Sequence, residues 1–137
     1  MQKRILTSIL GVLLSVFLIF GVVSYCNHQT ELKRNREYET SLAKVLKNSY
    51  KDIKEIQFSN PSYSEKPGGW SVSSKLIFKD GQVIYYGISH LLKDTTAYGG
   101  VIESGNLKKE KQYLDIHHGV TTSKIIVHYS DGKVGKQ

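Results

Sequence analysis

The chain has 137 residues, with 19 Lys and Arg against 12 Asp and Glu and a formal net charge of +7 with His neutral. That length suits one folded domain, and a single Cys excludes an intrachain disulfide, so the domain must stand on its own core. A positive balance suits an anionic surface such as lipid headgroups or an envelope polymer, although Lys-rich solvated faces are common.

Residues 1–4 form a short basic tail. The next 21 residues, Ile5–Tyr25, carry no charge and as a helix would span roughly 31 Å, the thickness of a bilayer's hydrocarbon core. A core helix of a small soluble domain would show a polar stripe, and this run has none; Ser8, Ser15 and Ser24 can return their hydroxyls to backbone carbonyls. The run therefore predicts one transmembrane helix over residues 5–25. It is longer than the apolar stretch of a cleaved signal peptide, for which Val22-Val23-Ser24 would be the competing cleavage site. Cys26 stands where a lipoprotein's acylated cysteine would stand, but Tyr25 is too bulky for the position before it. Lys33, Arg34 and Arg36 beyond the run leave the positive-inside count without a clear majority. The basic head on a long apolar run resembles an export signal, which predicts a single-pass cell-membrane protein with its domain extracytoplasmic.

Residues 26–37 read as a juxtamembrane stalk and residues 38–137 as the domain. No Gly or Pro occurs between Gly21 and Pro61, so a second helix can follow the anchor closely or continue it. Tyr38, Leu42, Val45, Leu46 and Tyr50 recur on one side, with Glu37, Lys44, Lys47 and Lys51 on the other, an amphipathic helix with one face to bury. Ile53, Ile56 and Phe58 mark a first strand, ended by Asn60-Pro61-Ser62, and Pro67-Gly68-Gly69 closes the following loop. From Trp70 the alternation is clear, with Val72, Ser74, Leu76 and Phe78 on the same face. Asp80-Gly81 predicts a hairpin. As a two-residue turn it pairs Phe78 with Val83 and Leu76 with Tyr85, which puts Val83 and Tyr85 on the main face. Residues 89–112 read as loop with room for short elements, Tyr113–His117 and Ser123–Tyr129 as two further strands, and the chain after Asp131-Gly132 as a short tail. Anchor, helix and four to five antiparallel strands make an α+β architecture, with the helix packed across the sheet.

The run Leu46–Phe58 (LKNSYKDIKEIQF), then Gly68-Gly69-Trp70 and the Phe78–Tyr85 hairpin (FKDGQVIY), resembles small membrane-anchored proteins of Gram-positive bacteria that carry a cystatin-like domain. The resemblance covers residues 38–90. It implies a cystatin-like fold and, since some such genes are suspected of immunity roles beside secreted toxins, a partner of that kind. The cysteine signal of the lipoprotein members is not matched.

No group of residues fixes a reaction. His117 and His118, on opposite faces of a strand, cannot chelate one metal, and in a regular hairpin His117 would face Lys124 and His128 would face Tyr113, about 13 Å away. Asp115 and His117 share a strand face, but no nucleophile is placed for them. Glu103, Glu110 and Asp115 are scattered, and the glycines form no phosphate-cradling motif. We therefore expect no catalytic residue, cofactor or metal, no nucleic-acid partner, and no small-molecule ligand.

The remaining signal is aromatic: nine Tyr, four Phe and one Trp. Exposed Tyr offers a broad apolar face, a polar tip and few rotors. Tyr63, in the loop between Pro61 and Pro67, and Tyr98, beside Gly99-Gly100, are the expected partner-binding residues. The expected function is a membrane-anchored extracytoplasmic binding module for a protein partner, with a secreted toxin as the candidate. The alternative is a structural envelope protein whose basic face contacts anionic polymers or lipid headgroups, and a hydrolase is third.

Overall fold

The computed structural model describes residues 2–65 and 69–137. The chain falls into two units, one ending at Arg34 and the other Asn35–Gln137. A single helix, α1 (Gln2–Ser49), contributes to both.

In the first unit α1 exposes its apolar side chains, Leu6, Phe17, Leu18 and Phe20 among them. Ser8 and Ser15 donate their hydroxyls to the carbonyls of Arg4 at 2.9 Å and Val12 at 2.8 Å. These two hydroxyls are thus satisfied within the helix, as a lipid environment demands. The helix is long and apolar enough to cross a membrane.

The second unit is α+β. Its strands are β1 (Ile53–Phe58), β2 (Ser62–Tyr63), β3 (Trp70–Phe78), β4 (Val83–His90), β5 (Val101–Ile102), β6 (Ile126–His128) and β7 (Val134–Lys136), with a second helix, α2 (Leu107–Ile116), before β6. The sheet order is β5-β4-β3-β1-β6-β7, with β2 also pairing β3. Leu42, Ala43, Val45 and Leu46 of α1, and Tyr50 just past its end, join Ile56, Trp70, Leu76, Phe78, Ile84, Ile125 and Val127 in one core. Full burial of a side chain of Leu or Ile size contributes about 1.5–3 kcal/mol. At its other edge the helix holds the β6–β7 turn. Arg36 reaches Asp131 at 2.6 Å and lies over the Tyr129 ring, while the buried Glu39 carboxylate accepts from the Ser130 N–H at 3.3 Å. Burial pushes the Glu39 pKa up.

Several expectations change. The sheet has seven strands among the described residues, not four or five, and it is mixed, because β6 lies parallel to β1. The Asp80-Gly81 hairpin is a three-residue turn: Gly81 N–H donates to Phe78 O at 3.0 Å, Phe78 N–H donates to Gln82 O at 2.9 Å, and Gly81 takes φ +88°. This is a type I turn closed by a left-handed Gly. The extra residue shifts the register, pairing Leu76 with Ile84 and Lys75 with Tyr85. Side chains alternate faces along a strand, so a one-residue shift exchanges them all; Ile84, Tyr86 and Ile88 enter the core and Tyr85 faces out. Tyr129 and Lys133 close Asp131-Gly132 in the same way, and the expected tail is β7, paired with β6. Tyr113–His117 is the last turn of α2 and its cap, not a strand. Pro67 and Gly68 of the expected loop lie outside the described residues.

Candidate functional site

The site is assembled around three tyrosines at the end of α1. Ser49, in the last turn, donates its hydroxyl to Val45 O at 2.7 Å and accepts from Ala97 N–H at 2.8 Å. Across the core, Tyr86 on β4 donates its hydroxyl to Ala97 O at 2.6 Å and accepts from Gly100 N–H at 2.9 Å. The loop after β4 is therefore clipped on both sides of Tyr98. Gly100 is required by this approach: a Cβ there would lie 2.4 Å from the Tyr86 ring and 2.8 Å from Gly87 O. Buried polar groups are costly unless paired, so these bonds decide where the loop sits.

Held this way, Tyr98 stays 44% exposed. Its ring meets Tyr50 edge-on at 5.5 Å and lies tilted against His118 at 4.3 Å. Tyr50 shares a 3.3 Å hydrogen bond with the Tyr86 hydroxyl. Burial, and then that bond, push the Tyr50 hydroxyl far above the ordinary tyrosine range, so it keeps its proton and serves as a support. The far wall is α2. Asn106 caps it by accepting from Lys109 N–H at 3.2 Å, and the helix presents Leu107, Lys111, Leu114 and Asp115. Between the walls lies a cleft of about 360 Å³, within the size range of ligand pockets. Its rim is apolar, with Val101 66% and Leu107 62% exposed beside Tyr98. Asp115 approaches His118 at 3.9 Å and supplies the charged edge with Lys111. The arrangement offers aromatic faces, an apolar floor and a polar edge of Lys111, Asp115 and His118.

The two tyrosines singled out from the sequence occupy different places. Tyr98 lines the cleft. Tyr63 is not in a loop but in β2, paired with Trp70 and exposed. Trp70 stacks with Tyr38, at the opposite end of the helix stretch from Tyr50. Tyr98 lines the cleft together with Tyr50, and Tyr63 is not part of that lining.

The histidines also separate, for reasons the strand reading missed. His117 caps α2, its ring stacked on Tyr113 at 3.9 Å and its Nδ1 2.7 Å from Tyr113 O. His118 goes to the cleft, so Asp115 partners His118 rather than His117. His128 meets Glu55 on β1 at 2.6 Å and not Tyr113. His90, which the sequence did not distinguish, is 1% exposed, shares a 2.9 Å hydrogen bond with Ser41 Oγ, and packs edge-on against Tyr38 and Trp70. Burial pulls its pKa below the ordinary His value. Among the described residues no three His, Cys, Asp or Glu are placed to hold a metal ion. The signal for the α2 wall was present in the sequence: Asn106 as a cap and no β-branched residue from Leu107 to Tyr113, a stretch suited to a helix.

Comparison of the chain with protein-family models, with curated proteins and with solved structures found no match.

Proposed function

We propose that this chain is a single-pass membrane protein whose extracytoplasmic domain binds a protein partner through the Tyr98 cleft. The observation that carries the proposal is the contiguous apolar rim of Tyr98, Val101 and Leu107, kept exposed by a loop clipped from below. Leaving such side chains in water costs stability, and exposed apolar patches ringed by polar groups commonly mark interaction sites. A rigid loop also loses little entropy when bound. The resemblance to membrane-anchored Gram-positive proteins adds the cystatin-like classification and a secreted toxin as the candidate partner, with the domain acting by binding and not by catalysis.

The test begins with crosslinking on intact cells and identification of the captured protein by mass. Tyr98→Ala should then weaken binding by about 2 kcal/mol or more, roughly thirtyfold. Tyr63→Ala, on β2 and outside the cleft lining, should affect a cleft-bound partner much less, and a His117→Ala/His128→Ala double variant should bind normally. Loss of activity in the double variant with Tyr98→Ala unimpaired would contradict the cleft reading. Cys26, the sole and exposed cysteine, reports orientation: an impermeant maleimide should label it on intact cells, and labelling only after permeabilisation would place the domain on the other side.

A further inference from the structure

The sheet face away from the core carries a second depression, of about 620 Å³. Ser71 stands opposite Ser89 and Ser73 opposite Gly87, so these four positions share that face and form the floor. Glu103, just beyond β5, lays its carboxylate over Gly87, and its Oε1 accepts from Ser73 Oγ at 2.8 Å. A Cβ at position 87 would fall 2.2 Å from that oxygen. The missing side chain is what lets the carboxylate lie against the sheet. Asp94 closes one end of the groove, its Oδ2 accepting from Leu91 N–H at 2.8 Å.

Two carboxylates line a groove that, among the described residues, no Lys, Arg or His lines, on a chain of net charge +7, and they differ: Asp94 Oδ2 stands 3.6 Å from the buried His90 Nδ1 beneath it, which leaves Glu103 as the carboxylate open to a cation. Among the same residues no base lies within ion-pair distance of Glu103. An ammonium group has three donors to place and a guanidinium five. The Glu103 carboxylate and the hydroxyls of Ser71, Ser73 and Ser89 supply acceptors for either. A saccharide would also find hydroxyls here, but no aromatic ring among the described residues lines the groove for a sugar face to stack on. Val101 borders both this groove and the Tyr98 cleft, and Gly99 on this side adjoins Gly100 on the other, so one bound surface straddling β5 reaches the two together.

We propose that the groove over Gly87 receives a Lys or Arg side chain of the protein partner, with the Glu103 carboxylate as its counter-ion. The identity of that partner with the occupant of the Tyr98 cleft rests on the reading above, whereas the cation site itself does not. Its contribution is charge recognition beside an apolar anchor, and it weakens as salt rises because the groove is open to solvent.

The experiment uses the ¹⁵N-labelled full chain in zwitterionic detergent, following the amides of Ser73, Gly87 and Ser89. The probes are Nα-acetyl-lysinamide, the uncharged Nα-acetyl-norleucinamide, and N,N′-diacetylchitobiose. The lysine probe should shift all three amides and the norleucine probe should not. Glu103→Gln, which keeps an acceptor for Ser73 but removes the charge, should weaken the lysine probe by at least about tenfold. Equal responses to lysine and norleucine, an unaffected Glu103→Gln variant, or a response to the disaccharide alone would each overturn the proposal. Tyr98→Ala should leave the lysine response intact. A partner that depends on Tyr98 without any lysine response therefore sinks the groove alone, and a lysine response with a Tyr98-independent partner sinks the cleft alone.

Discussion

Replacing Tyr86 by Phe removes one oxygen atom, and the structure says which groups it strands. The hydroxyl donates to Ala97 O, accepts from Gly100 N–H and shares a longer bond with the buried Tyr50 hydroxyl, one that Tyr50→Phe loses as well. A buried polar group left without its partner costs about 1–3 kcal/mol. Ala97 is fully buried and its carbonyl bears that cost in full; Gly100 is only half-buried, so its N–H regains part of the loss from water. The sum is about 2–4 kcal/mol, which for a domain near one hundred residues lowers the unfolding midpoint by about 10–20 °C. Tyr50→Phe is the control. It loses only the longer bond between the two hydroxyls and should cost less than about 1 kcal/mol. Thermal unfolding of the full chain in detergent, followed by the near-ultraviolet dichroism of Trp70, reports on the domain and not on the apolar N-terminal stretch of α1. Amide exchange at Tyr98 and Gly99 should accelerate in Tyr86→Phe before global unfolding does. If the two variants unfolded within about 0.5 kcal/mol of each other, Tyr86 would not be the clip, and the argument for a pre-formed Tyr98 loop would fail.

Two further outcomes test the frame around the site. Ile84→Ala should cost about 2–5 kcal/mol while Tyr85→Ala stays near neutral; the reverse order in denaturant unfolding would restore the two-residue hairpin register. Burial holds the His90 pKa below the ordinary value of 6.5, outweighing the nearby Asp94 carboxylate, so the unfolded chain binds the extra proton first as pH falls through that value. Stability should therefore decline on acidification below about pH 6.5, with a limiting slope of about 1.4 kcal/mol per pH unit. A His90→Gln variant should lose that component, and an unchanged slope in the variant would show that another group carries it.

The helix long and apolar enough to cross a membrane, the amphipathic stretch that follows it and the buried face of β3 were legible in the residues alone, because each is a local pattern of hydrophobicity. Twenty-one uncharged residues suffice as a helix to cross a bilayer, and Tyr38, Leu42, Val45 and Leu46 align on a helix whatever packs against them. The face of β4 was not legible. A turn of two residues and one of three share the same Asp-Gly, and only the pairing of Phe78 with Gln82 settles which side chains turn inward. Tyr113–His117 alternates as a strand would, yet it is helical, because the helix capped at Asn106 runs on through it and buries Leu114 in the core. The parallel seating of β6 on β1 depends on residues far apart in the chain, Glu55 beside Ile126, beyond the reach of any local pattern. The candidate sites lie at this same level. Tyr98 was recognisable as an aromatic beside two glycines, but its cleft exists because Tyr86, Ser49 and α2 converge on it from three parts of the chain. Glu103 and Gly87 carry no mark in the sequence at all; their relation arises only when β5 pairs with β4 and a carboxylate lies where a side chain is missing.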